Sequence, residues 1–174
     1  FLAPDRPDQA SAVVHVLRRL RPRWVVTGPK PRRHPDHLAT PPLVSRAVFL
    51  ARLRALQPDP PEARWWPAPP TEEAADRPWV VEALAHTCLP DGVPDLLLDV
   101  SDSWEAKRAA LACYGSQFQR QEGRQATHIN DPDFLARIDD RGRAWGRRAG
   151  VAHAEALTTA AVPVHTDLPP ERWA

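Results

Sequence analysis

Methionine is absent from the 174 residues, which begin at Phe1, so the sequence lacks even an initiator and reads as a piece of a longer protein. Cysteine is scarce. Cys88 and Cys113 have neither CxxC spacing nor a paired pattern, which excludes a disulfide scaffold and points to a reduced, cytoplasmic setting. An excess of one charge is missing too: 23 basic against 22 acidic groups leave +1, so no global field marks the chain for nucleic acid or a membrane surface. No apolar run is long enough to span a membrane, and no charged-then-apolar start resembles a signal peptide. Internal repeats are lacking as well. Proline is in surplus, with 21 residues gathered largely in loops, and alanine and arginine are abundant beside it.

A chain of this length buries one core, so residues 1–174 read as a single domain. Asp8 is placed to cap a helix running to about Leu20, with Val13, Val16, Leu17 and Leu20 on one stripe. Trp24–Thr27 reads as a short buried strand closed by Gly28-Pro29. Residues 29–40 read as a loop, after which Thr40 and Pro41 open a helix to about Leu56. Residues 57–78 are too proline-rich for a regular element. Strands are expected at Val80–His86, Leu96–Val100 and Val162–His165. Helices are expected from Ser101 or Asp102 to Phe118, and from Asp131-Pro132 with Phe134, Leu135, Ile138 and Trp145 inward. This alternation predicts an α/β sandwich with a largely parallel sheet.

The loop after the first strand carries Arg33-His34-Pro35-Asp36-His37. In open α/β sheets, ligands bind beyond the carboxyl ends of strands, so the tetrapeptide HPDH stands where such a fold places its chemistry. His34 and His37 are three residues apart, and in a tight turn both rings face one side. A neutral imidazole suits zinc, and a protonated neighbour serves as an oxyanion donor or general acid. Asp36 is positioned to hold one ring in a fixed tautomer. The competing reading is two solvated loop histidines, because a bare HxxH falls short of the three protein ligands of a catalytic zinc.

Further segments stand in order around this one: Leu2–Arg6, Arg21–Val26, Asp99-Val100-Ser101, Lys107–Phe118 (KRAALACYGSQF), Thr127–Asn130, Phe134–Arg141 and Gly150–Glu155 (GVAHAE). Together with HPDH they resemble the zinc-dependent N-acetylglucosaminyl de-N-acetylase superfamily, called LmbE-like or PIG-L-like, over nearly the whole chain apart from 57–78. They look most like its bacillithiol-biosynthesis branch, which removes acetate from N-acetylglucosaminyl-malate. The resemblance implies a Rossmann-like three-layer sandwich with a mainly parallel sheet, a Zn2+ cofactor, a small glycoconjugate substrate and a homo-oligomer, with no nucleic-acid or membrane partner. It implies that His37 is the zinc ligand, that His34 supports the oxyanion or protonates the leaving amine, and that Asp36 pairs with His34. It also implies substrate contacts at Arg77 and Asn130.

The pattern departs from the family in places. The other two zinc ligands and the general base belong to an AHPDD-type motif after the family's first strand, and residues 1–33 hold nothing of that kind. The domain therefore reads as truncated at its N-terminus, and this fragment as inactive alone. Arg32 stands where relatives often carry an acid, and Phe134 where some carry a tyrosine. Two rivals remain: a deacetylase or amidase of the same superfamily acting on another conjugate, and a non-catalytic sugar- or partner-binding remnant. Among other residues, Asp102 reads as a cap and Asp99 as a cap or pocket residue. His153 reads as surface, Cys113 as inert core, and Trp65-Trp66 as a contact patch or a loop anchor.

Overall fold

The computed structural model describes residues 2–29, 34–58, 77–118, 127 and 129–159. In chain order these form α1 (Pro7–Leu20), β1 (Trp24–Thr27), α2 (Pro35–Ala51), β2 (Ala83–Thr87) and β3 (Leu96–Asp99). A 3-10 turn (Ser101–Ser103), α3 (Trp104–Ala112), α4 (Gly115–Phe118), α5 (Phe134–Ala149) and β4 (Ala154–Thr159) follow. The described residues are therefore mixed α/β, with four strands and five α-helices. They fall into two compact units, one made of described residues within 2–89 with 158–159, the other of described residues within 90–157.

In the first unit β1 and β2 are parallel, with Trp24 beside Ala83 and Thr27 beside His86. Helix α2 joins them as the crossover that parallel strands require. Val14 and Leu17 of α1 bury against Ala47 and Ala51 of α2, with Val25 and Val81 packed on the cluster. Of the apolar stripe expected for α1, Leu17 is buried and Val13 packs on the cluster, but Leu20 is 49% exposed, and the core face runs instead through Ala10, Val14, Leu17 and Arg18. Its cap is not Asp8: Arg6 is the N-cap residue, and Asp8 in the first turn pairs with the Arg6 guanidinium at 2.6 Å. The other end of α2 is closed from a distance. Arg18 is fully buried, and its guanidinium donates to the carbonyls of Ala51 (3.0 Å), Leu56 (2.9 Å) and Leu53 (2.6 Å). Those acceptors sit at the electronegative end of the helix, where a cation is favoured.

In the second unit β3 and β4 are antiparallel, Leu96 opposite Leu157 and Asp99 opposite Ala154. The expectation of a mainly parallel sheet is corrected here. Three α-helices, α3, α4 and α5, separate β3 from β4 in place of the single crossover helix of a parallel pair, and the two strands run in opposite directions. The helix expected from Ser101 to Phe118 is broken at Cys113 and Tyr114, and Cys113 is exposed rather than core. Trp104 is the buried anchor, and its Nε1 donates to Asp139 Oδ1 at 2.6 Å. Gly142 is required at this crossing, because a Cβ there would stand 2.2 Å from the Trp104 ring. Helix α5 ends at Gly150, whose φ of 68° lies in the left-handed region. The strand expected at 162–165 lies outside the described residues, and β4 at 154–159 is an element the sequence pattern does not announce.

Candidate functional site

Sequence reading treats residues 29–40 as a loop, and the structure corrects this: HPDH is the N-cap and first turn of α2. Proline causes the misreading. Pro41 looks like a first helical residue, yet the helix starts at Pro35, another proline needing no N–H there, and runs through Pro41 and Pro42. Those two bring no N–H to the carbonyls of His37 and Leu38. Hydroxyls ease the neighbouring turns, Thr40 Oγ1 donating to the Asp36 carbonyl (2.6 Å) and Ser45 Oγ to the Pro41 carbonyl (2.9 Å).

The cap itself orders the chemistry. The Asp36 N–H donates to His34 Nδ1 at 3.2 Å, so the imidazole replaces the usual capping oxygen. An accepting Nδ1 carries no proton, and in the neutral ring the proton sits on Nε2. The Asp36 carboxylate lies beside this ring, Oδ2 at 3.7 Å from Nδ1, while its Oδ1 accepts the Leu2 N–H at 2.7 Å. A carboxylate in the first turn also gains from the helix dipole. The His34 and His37 rings are 5.8 Å apart between centroids, and both histidines are exposed. The turn thus brings two imidazoles within 5.8 Å of each other, with the Asp36 carboxylate beside the ring of His34.

A catalytic zinc takes three protein ligands and an open position. Among the described residues no group of three or more histidines, cysteines or acids comes together. By itself the tetrapeptide does not fit a zinc ion. It offers one exposed imidazole, His37, and a second, His34, already committed at Nδ1.

Of the remaining expected residues, Arg77 is exposed in the first unit. Asn130, in the second, is 9% exposed; its Oδ1 accepts the Thr127 N–H at 2.7 Å, and its own N–H donates to Thr127 Oγ1 at 3.3 Å. That reciprocal bond closes a local turn. Asp99 is also a turn former, its Oδ1 accepting from the Ser101 N–H (3.0 Å) and hydroxyl (2.7 Å). Asp102 makes no side-chain cap bond.

Sequence reading missed two groups. Thr27 and His86 face each other in register at the carboxyl ends of β1 and β2. His86 Nδ1 lies 3.4 Å from the Gly28 carbonyl, and the buried Thr27 hydroxyl has no hydrogen-bond partner among the described residues. Their position at strand ends was the available signal. The other group surrounds His153, which stacks on Trp104 (centroids 4.5 Å, 10°) with Nε2 3.7 Å from Asp139 Oδ1. Hydrogen bonding from Trp104 and the charge of Arg143 hold the Asp139 carboxyl below the usual range. The surface reading of His153 gives way to a packed one.

A curated deacetylase resembles this chain. The 1D-myo-inositol 2-acetamido-2-deoxy-alpha-D-glucopyranoside deacetylase 2 of Saccharopolyspora erythraea is 32% identical over 143 residues, covering 77% of this chain and 52% of its own length. No family model matches. Among solved structures, the conserved protein TT1542 from Thermus thermophilus superposes with a TM-score of 0.71 at 28% identity, over 99% of this chain and 66% of that one. GalB, the 4-carboxy-2-hydroxymuconate hydratase of Pseudomonas putida, does so with 0.66 at 19% identity, over 94% and 62%. At that identity GalB shares the fold alone, and a hydratase on this fold means that the fold does not choose the reaction. The chain spans about half the length of the curated relative it matches.

Proposed function

We propose that this chain is part of a zinc-dependent deacetylase of the LmbE-like superfamily, built on a Rossmann-like three-layer sandwich and acting on an N-acetylglucosamine conjugate in the cytoplasm. The observation that carries the reading is the first turn of α2, where the His34 and His37 rings lie 5.8 Å apart and the Asp36 carboxylate lies beside His34. Similarity to a deacetylase of an N-acetylglucosaminyl inositol supports it.

In this reading His37 supplies one metal ligand, and the remaining ligands are not among the described residues. His34 works on the amide itself. Its Nε2 hydrogen is free of the cap bond, on an exposed ring, and can donate to an oxygen gaining negative charge. When the ring is doubly protonated, Nδ1 no longer accepts from the Asp36 N–H, and a small rotation brings it to the Asp36 carboxylate. Asp36 thereby steadies the charged ring that passes a proton to the leaving amine. Arg77 and Asn130 are read as substrate contacts.

The aglycone is the finer question. We favour malate, following the bacillithiol-type sequence features; the curated relative's name specifies an inositol glycoside. Acetate release from N-acetylglucosaminyl-malate and from N-acetylglucosaminyl-inositol, assayed with the complete reading frame that contains this chain, separates the two. Malate preference by about tenfold or more in kcat/KM is expected, and inositol preference overturns that assignment while leaving the deacetylase standing.

A further inference from the structure

Helix α5 carries a concentration of arginine that the deacetylase reading does not use. Arg137, Arg141 and Arg148 line one pocket of about 400 Å³ together with Pro90, Ala144 and Trp145. At roughly 100° per residue, positions 137, 141, 144 and 148 fall within about 60° of one another around the helix. Trp145 is 7% exposed and forms the floor, and the Arg148 guanidinium stacks over its ring at 4.7 Å. Such stacking fixes a guanidinium plane and leaves its edge free to donate.

Ordinary roles account for part of this stripe. Arg148 lies in the last turn, where the helix dipole favours a cation. Arg137 has Asp131 at 3.6 Å and leans over Phe134. Arg141 has neither excuse. It is exposed in mid-helix, one turn after Arg137, and like charges at that spacing weaken a helix. The contrast is Arg143, which points elsewhere and meets Asp139 at 2.7 Å. Among the described residues no carboxylate lines the pocket.

We infer that this pocket binds a small molecule carrying several phosphate groups. Guanidinium forks match phosphate oxygens, and a volume of about 400 Å³ is that of a small-ligand site. Along the axis Arg137 and Arg141 are ~6 Å apart, and Arg141 and Arg148 ~10 Å. One phosphate does not reach all three, whereas a chain of two or three does. Pro90 and the indole provide an apolar wall for whatever the phosphates are attached to.

Isothermal titration of the complete reading frame that contains this chain with inorganic tripolyphosphate and with orthophosphate tests this. Tripolyphosphate is expected to bind at least about tenfold more tightly, with Arg141→Gln and Arg148→Gln each weakening it by about tenfold and Arg143→Gln leaving it within about twofold. Circular dichroism of each variant checks that α5 is intact. Equal, weak binding of both anions overturns the inference, as does tripolyphosphate binding that ignores Arg141 and Arg148. Binding of a polyglutamate peptide in place of tripolyphosphate overturns it in favour of an acidic protein partner.

Discussion

His34 has a definite tautomer because its Nδ1 receives the Asp36 N–H. Nitrogen-detected NMR of the neutral chain is expected to show the Nε2–H form at His34, and a majority of the Nδ1–H form would mean that the cap is not made. In the complete enzyme, His34→Ala is expected to lower kcat for acetate release by ~10²–10⁴-fold, the usual worth of a general acid. Asp36→Asn, which keeps the backbone donor and loses only the charge, is expected to cost nearer tenfold. Losses of equal size would argue that Asp36 does more than steady the ring. Acid stability has a separate source. The hydrogen bond from Arg6 pulls the Asp8 carboxyl from its ordinary 3.8 to about 2. Because the folded value is the lower one, this stabilisation is complete above about pH 4 and disappears as pH falls through about 2. Asp8→Asn is expected to flatten that part of the stability–pH profile, and an unchanged slope would show that the pair contributes nothing.

The elements show what the sequence discloses and what it hides. The bounds of strand Trp24–Thr27 are legible to the residue, because a short apolar run closed by Gly-Pro has few alternatives, but the burial expected of it is not found: Trp24 and Val26 are about half exposed and only Thr27 is buried. Helix α2 is legible too, but its start is not, since a proline pair reads as a beginning even when tertiary packing carries the helix through it. That difference moves HPDH from a loop to a capped turn, and the cap is what sets the hydrogen bonding of the His34 ring. Arg18 is invisible for another reason: its partners are carbonyls 33 to 38 residues away, which no local pattern announces. Arg18→Met is expected to destabilise the first unit by about 3 kcal/mol in chemical denaturation, since three acceptors at a buried helix end lose a charged donor. A loss below about 1 kcal/mol would mean that the carbonyls find other donors. Gly142→Ala tests α5 in the same way. In an open helix that change adds about 1 kcal/mol of stability, but the Trp104 ring fills the space here, so a loss of about 1–3 kcal/mol is expected.

At the scale of the whole molecule, the described residues comprise a parallel pair and an antiparallel pair of strands with five helices. The superposition on TT1542 covers 99% of this chain but 66% of that protein, and the curated deacetylase is matched over 52% of its length. The chain thus spans only part of both proteins' length, and in the proposed reading its contribution is the His34–Asp36–His37 turn. The most direct measurement is acetate release by the complete reading frame, with zinc content read in parallel, for the unaltered protein and for His37→Ala. Deacetylation with about one zinc per chain, both lost in His37→Ala, is the expected result. Deacetylation and zinc content undiminished in His37→Ala, or a complete protein that releases no acetate from any N-acetylglucosamine conjugate, would contradict the central claim.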